Sequence, residues 1–127
     1  MPVERFRNRR ILVVEDEYML ATDLQRELEA MGAIVIGPAG QLDAALDLVQ
    51  GEDAIEAAIL DINLGGEEAY SVADLLISRK IPFVFATGYE RSTIPARFKA
   101  VPICEKPINL EKIVATIFAV AREGSLE

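Results

Sequence analysis

Five residues with chemical potential stand at the ends of apolar runs. Glu15 and Asp16 follow ILVV, Asp61 follows AAIL, Thr87 closes IPFVFA, and Lys106 lies just beyond VPIC. Burying a carboxylate at the end of a core strand is costly unless something compensates it. Like charges about 4 Å apart repel by roughly 4 kcal/mol at an effective dielectric near 20. Such acids stay together only if a cation joins them or a pKa rises. The chain has no histidine and a single cysteine, Cys104, which argues against a soft-metal site. Two or three carboxylates with a backbone carbonyl suit Mg²⁺, which keeps several waters and shares its shell with phosphate. In that setting Asp61 is a nucleophile toward phosphorus. Lys106 then offers a point charge to a phosphoryl oxygen and Thr87 a hydroxyl donor.

Each residue also has a plainer reading. Glu15 and Asp16 fit an acid-rich first helical turn. Asp61 fits a cap on the turn ahead of the next helix, beside Gly65-Gly66. Thr87 fits a loop hydroxyl bonded to its own backbone, and Lys106 an ordinary exposed lysine. Cys104 fits a small core residue. One residue at a time, the sequence leaves these alternatives open. The functional reading rests on their conjunction, each at a strand end.

Those positions depend on the elements that carry them. Ile11–Val14, Ala33–Ile36, Ala57–Leu60, Ile81–Ala86 and Val101–Cys104 read as short buried strands. The second is expected to close at Gly37-Pro38. Leu20, Leu24, Leu28 and Met31 fall at helical spacing, so Tyr18 to Met31 reads as a helix stopped by Gly32. Gln41 to Gln50 and Glu67 to Arg79 read as further helices, with Glu67 and Glu68 in the first turn of the latter. Asn109 is expected to cap a last helix through Arg122. Strand and helix alternate, which implies a parallel sheet covered on both faces. In such folds polar function gathers at the carboxyl ends of the strands.

The 127 residues predict one domain with a core of its own, about residues 10–122. A basic tail over 1–9 and a frayed end over 123–127 are expected to flank it. A formal charge of −8 argues against nucleic acid or an anionic membrane as partner. With one cysteine no internal disulfide forms, and a reducing, cytoplasmic setting is expected. No apolar run is long enough to span a membrane.

VVEDE (13–17), AAILDINL (57–64), FATGY (85–89) and EKP (105–107) together resemble the receiver domain of bacterial response regulators in two-component signalling. The resemblance runs from Arg10 to about Arg122. It implies a flavodoxin-like, doubly wound α/β fold with a five-stranded parallel sheet in the order 2-1-3-4-5. It implies Asp61 as acceptor of a phosphoryl group from a kinase phosphohistidine. Glu15, Asp16, Asp61 and the carbonyl of Asn63 would bind Mg²⁺, and Thr87 and Lys106 would contact the phosphoryl group. Lys106-Pro107 would be cis. FATGY is similar to a subgroup of receivers named for that motif, many of them alphaproteobacterial and some of them general-stress regulators. In it Gly88 would leave the approach to the phosphoryl group open.

The sequence departs from the family at several points. Leu64-Gly65 replaces Met-Pro, Ala69 replaces a glycine, and Ile103 replaces the aromatic switch residue. The stretch from Thr87 to Lys106 is short and carries Pro95 and Pro102, so helix four is predicted to be very short or disordered. Tyr89 becomes a candidate substitute switch. The reading is a phosphoryl-accepting switch that acts by changing contacts with proteins, a sensor histidine kinase or phosphotransfer protein and a downstream target. It catalyses its own phosphorylation and slow dephosphorylation rather than turnover of a small substrate. Two other classes stay open. One is an Mg²⁺-dependent phosphatase of haloacid-dehalogenase type, suggested by Asp61-Ile62-Asn63. The other is a degenerate receiver that binds without taking phosphate.

Overall fold

The computed structural model describes residues 6–88 and 91–125, without the side chains of 91 and 121–125. Strands β1 (Arg10–Val14), β2 (Ile34–Ala39), β3 (Ala57–Leu60), β6 (Phe83–Thr87) and β7 (Ile103–Glu105) form one sheet. The short strands β4 (Asn63–Leu64) and β5 (Glu67–Glu68) make a separate hairpin. In the large sheet the order is β2-β1-β3-β6-β7 and every pairing is parallel. Counting its strands alone, that is the flavodoxin-like order 2-1-3-4-5.

Helices α1 (Tyr18–Ala30), α2 (Leu42–Gly51), α3 (Tyr70–Ser78) and α4 (Leu110–Ser125) cover the sheet. Alternation along β1 decides what each face meets. Leu12 and Val14 join Ala45 and Val49 of α2 and Val72, Ala73 and Leu76 of α3 in one core. Ile11 and Val13 join Leu24 and Leu28 of α1 and Ile113, Val114 and Ile117 of α4 in the other. Asn109 Oδ1 accepts the Lys112 N–H at 3.0 Å, which caps α4 as its sequence suggests. Cys104 is buried in the α1/α4 core. No helix among the described residues is long and apolar enough to cross a membrane.

The expectation of a short or disordered helix four is corrected. The fourth helix in chain order is α4, a full sixteen residues over Leu110–Ser125. Its apolar residues recur at helical spacing, so it buries a continuous stripe against the sheet. Between β6 and β7 the chain forms two 3₁₀ turns, Arg91–Thr93 and Ala96–Phe98. Phe98 of the second is fully buried, stacked on Tyr70 at 5.5 Å and edge-on to Phe85 at 5.6 Å. Ile103, half-buried, pairs in register with Phe85. Tyr89 lies outside the described residues.

Two other boundaries also move. β2 does not close at Gly37-Pro38 but continues to Ala39, across a bulge opposite Leu12 to Val14. Gly37 makes that possible. Its φ is +95°, and a Cβ there would stand 2.9 Å from the Val13 carbonyl oxygen. Pro38 is tolerated because β2 is an edge strand. Glu67 and Glu68 are not in a helical first turn, since they pair antiparallel with Leu64 and Asn63. Gly65 and Gly66, at φ +62° and +95°, form the two-residue loop of that hairpin, a geometry that demands left-handed residues at both positions. α3 therefore starts only at Tyr70.

The segment before β1 is more than a tail from Phe6 onward. The Phe6 N–H donates to the Met31 carbonyl at 3.0 Å, and its ring is 1% exposed and edge-on to Phe118 of α4. Phe6→Ala should cost about 3–4 kcal/mol, as a core aromatic truncation does. Urea denaturation checks this, and an unchanged midpoint would show the ring to be dispensable.

Candidate functional site

Backbone pairing continues one residue past the strands and fixes the site. The Asp61 N–H donates to the Val14 carbonyl at 2.8 Å, so Asp61 sits beside Glu15. The Glu15 N–H donates to Ala39 at 2.9 Å, which is why the extension of β2 through Gly37-Pro38 matters. The Lys106 N–H donates to Thr87 at 2.9 Å, which ties the fourth and fifth ends of the sheet together. The Lys106-Pro107 bond is cis.

The side chains converge. Lys106 Nζ donates to Glu17 Oε1 at 2.6 Å, to Asp61 Oδ2 at 3.0 Å and to Glu15 Oε2 at 3.2 Å. Glu15 and Asp61 are each 3% exposed and Thr87 is fully buried, whereas Asp16, Glu17 and Asn63 face solvent. Asp16, Glu17, Asp61, Asn63, Thr87, Gly88 and Lys106 line one cleft of ≈ 430 Å³. At Gly88 a Cβ would meet no atom within 4 Å, so packing does not demand glycine there.

Asp61 caps no helix. The α3 N-cap is Ala69, without a side-chain capping bond, and Asp61 Oδ1 instead accepts the Asn63 N–H at 3.1 Å. Glu15 and Asp16 precede α1, whose first turn contains no acid. Asn63 Oδ1 accepts the Gly66 N–H at 2.8 Å within the hairpin, and Asp16 Oδ2 accepts the Gly65 N–H at 2.8 Å. The hairpin is thereby bonded to the cleft. Glu17 was not among the residues singled out in the sequence, although the run of three acids after β1 held the signal. What the sequence could not reveal is that Glu17 turns back toward Lys106.

Charge here is unbalanced. Burial raises the Glu15 carboxyl to about 8, and the hydrogen bond and negative charge of Asp61 add to the rise. Burial also raises Asp61, against hydrogen bonds from Glu15, Lys106 and the Asn63 backbone that lower it. For Lys106, burial opposes the ammonium. Its hydrogen bonds to Glu17 and Asp61 and the charges of Asp61 and Glu15 outweigh that and raise its pKa. One lysine thus leaves the pair of buried acids holding a proton near neutrality.

The donor set fits a divalent ion. Carboxylate oxygens of Glu15, Asp16 and Asp61 lie within 4.8 Å of one another. Glu15 Oε1 is buried without a hydrogen-bond partner, a lone pair that a cation would satisfy. All the donors are oxygens, as hard divalent cations require.

No family model matches the chain. It is similar in structure to SdrG from Sphingomonas melonis Fr1, at 39% identity and TM-score 0.76 over 91% of this chain and 97% of that one. The response regulator PhyR from Brucella abortus shares 26% identity at TM-score 0.79, over 97% of this chain and 52% of that one. The phyllosphere-induced regulator PhyR of Methylorubrum extorquens is 31% identical over 110 residues, 84% of this chain and 41% of that protein. The chain thus spans less than half the length of that curated relative.

Two outcomes follow from the charge imbalance. The folded state binds protons at Glu15 that the unfolded chain releases near 4.5, so stability in chelator should fall as pH rises from about 4.5 through about 8. Melts of the protein against Glu15→Gln across that range isolate this contribution, which should be lost in the variant. Asp61→Asn should raise the melting temperature in chelator by roughly a few degrees, because it removes an acid whose ionised form the fold disfavours. A lower melting temperature would refute the repulsion.

Proposed function

The chain belongs to the receiver family of two-component response regulators, and on that premise we propose that it is a phosphoryl-accepting signalling switch with Asp61 as acceptor. The observation that carries the reading is the set of three hydrogen bonds from Lys106 Nζ to Glu15, Glu17 and Asp61, in a cleft with Thr87. An acidic cluster with a lysine partner is typical of receiver phosphorylation switches. FATGY (85–89) is the sequence feature that supports membership of the subgroup with that motif.

Glu15, Asp16, Asp61 and the Asn63 carbonyl are the residues to hold Mg²⁺. When bound, the ion would neutralise the acids and orient the incoming phosphoryl group. Asp61 supplies the nucleophilic oxygen and becomes an acyl phosphate while the donor's leaving group departs. Lys106 turns one N–H from Asp61 to the new phosphoryl oxygens, and the Thr87 hydroxyl donates to another. Because Lys106 and Thr87 are joined through their backbones, both loops feel the change. That is a packing change biased by local charge. Water-driven hydrolysis resets it, so the protein turns over its own adduct and not a small substrate.

The donor is a histidine kinase or phosphotransfer protein, and a downstream protein reads the outcome. Tyr18 and Met19, 82% and 77% exposed, stand beside the cleft at the start of α1 and offer apolar footing to a protein donor. We assign it to the cytoplasm, where such donors work. A phosphatase of haloacid-dehalogenase type would need a second acid at 63, and the Asn63 side-chain oxygen is bonded within its own hairpin.

Intact-mass spectrometry with acetyl phosphate tests the reading. One phosphoryl group should add in Mg²⁺ and none in chelator, and Asp61→Asn should stay unlabelled. Lys106→Ala should slow labelling or prevent the adduct from altering loop signals. Labelling of Asp61→Asn equal to that of the parent would move the acceptor elsewhere.

A further inference from the structure

Glu17 occupies the N-cap position of α1 yet makes no side-chain capping bond. Its carboxylate reaches across the cleft mouth to Lys106 instead, and at 2.6 Å it makes the shortest of the lysine's three contacts. Its side chain is 59% exposed, whereas those of Glu15 and Asp61 are 1% and 4%. Nothing in the metal-binding set requires it. It lines the entrance together with Asp16. The cation that would attract a phosphoryl oxygen is therefore partly neutralised by an acid on the solvent side, and any anion entering passes that acid.

From this geometry we infer that Glu17 is a specificity-determining residue, an electrostatic gate against small, highly charged phosphodonors. This rests on Asp61 as acceptor. With acetyl phosphate, an Asp61 oxygen forms the bond to phosphorus as the phosphorus–oxygen bond to acetate breaks, and acetate leaves as the anion. With phosphoramidate, the phosphorus–nitrogen bond breaks and ammonia leaves. The acceptor chemistry is the same, but near neutral pH the first donor is a dianion and the second a monoanion. A unit charge at the cleft mouth repels the dianion twice as strongly. A protein donor brings its own surface to the rim and covers it.

The test is Glu17→Gln, which keeps the shape of an exposed side chain and removes its charge. Initial labelling rates in Mg²⁺ should rise roughly fivefold with acetyl phosphate and about twofold with phosphoramidate, both gains shrinking as salt is raised. An exposed ion pair with only a structural role would move neither the donor-charge ratio nor the salt dependence. Equal gains with both donors, or none, would overturn the gate. Inorganic phosphate provides a readout that needs no transfer. Titrated against the Mg²⁺-loaded protein and followed at the Gly88 amide by NMR, it should bind Glu17→Gln more tightly than the parent. Unchanged phosphate affinity would also overturn the gate. A parent protein that takes no label while phosphate still discriminates the two would remove Asp61 as acceptor and leave the gate standing.

Discussion

One ammonium holds this domain's working end together. Lys106 Nζ touches Glu15, Glu17 and Asp61 at once, and two of those carboxylates are almost wholly buried. An ion taken from water costs several kcal/mol even after relaxation, and one cation cannot offset three acids. A proton retained between Glu15 and Asp61 and a divalent ion are the two remedies available. The first is open to the pair of buried acids themselves, and the oxygens of Glu15, Asp16 and Asp61 are placed to hold the second.

The sheet exists, for this purpose, to bring four chain ends to one edge. Glu15 and Asp61 meet because Val14 and Leu60 are register partners in neighbouring strands. Thr87 and Lys106 meet because β6 and β7 end in step. Even the bulge at Gly37 serves the same end, since without it Ala39 would not receive the Glu15 N–H. Packing on both faces makes these registers rigid.

The sheet order and the identity of the converging side chains were legible because each strand is a short apolar run and each functional residue ends one. The hairpin at 63–68 was not. Glu67 and Glu68 satisfy a helix start as well as a strand, and only the left-handed pair Gly65-Gly66 decides between them. Phe6 was hidden among arginines, where a basic run masks a single ring that needs a tertiary partner, Phe118, to be seen as core. The stretch before β7 is ambiguous in sequence because its prolines, Pro95 and Pro102, fit a stunted helix. They punctuate two tight turns instead, and the fourth helix is the long one that follows. Glu17 could be read as an acid, but which way a side chain at a helix start swings is settled only in three dimensions.

Ile103 has a mechanical meaning. A β-branched side chain is stiff about χ1, so the outer strand carries no hinged flap. Behind it the rings of Phe85, Phe98 and Tyr70 form a keel from β6, the neighbouring strand, to the head of α3. Were the proposed switch to displace Thr87, two residues along from Phe85 and on the same side of the strand, the pull would reach those rings through that strand.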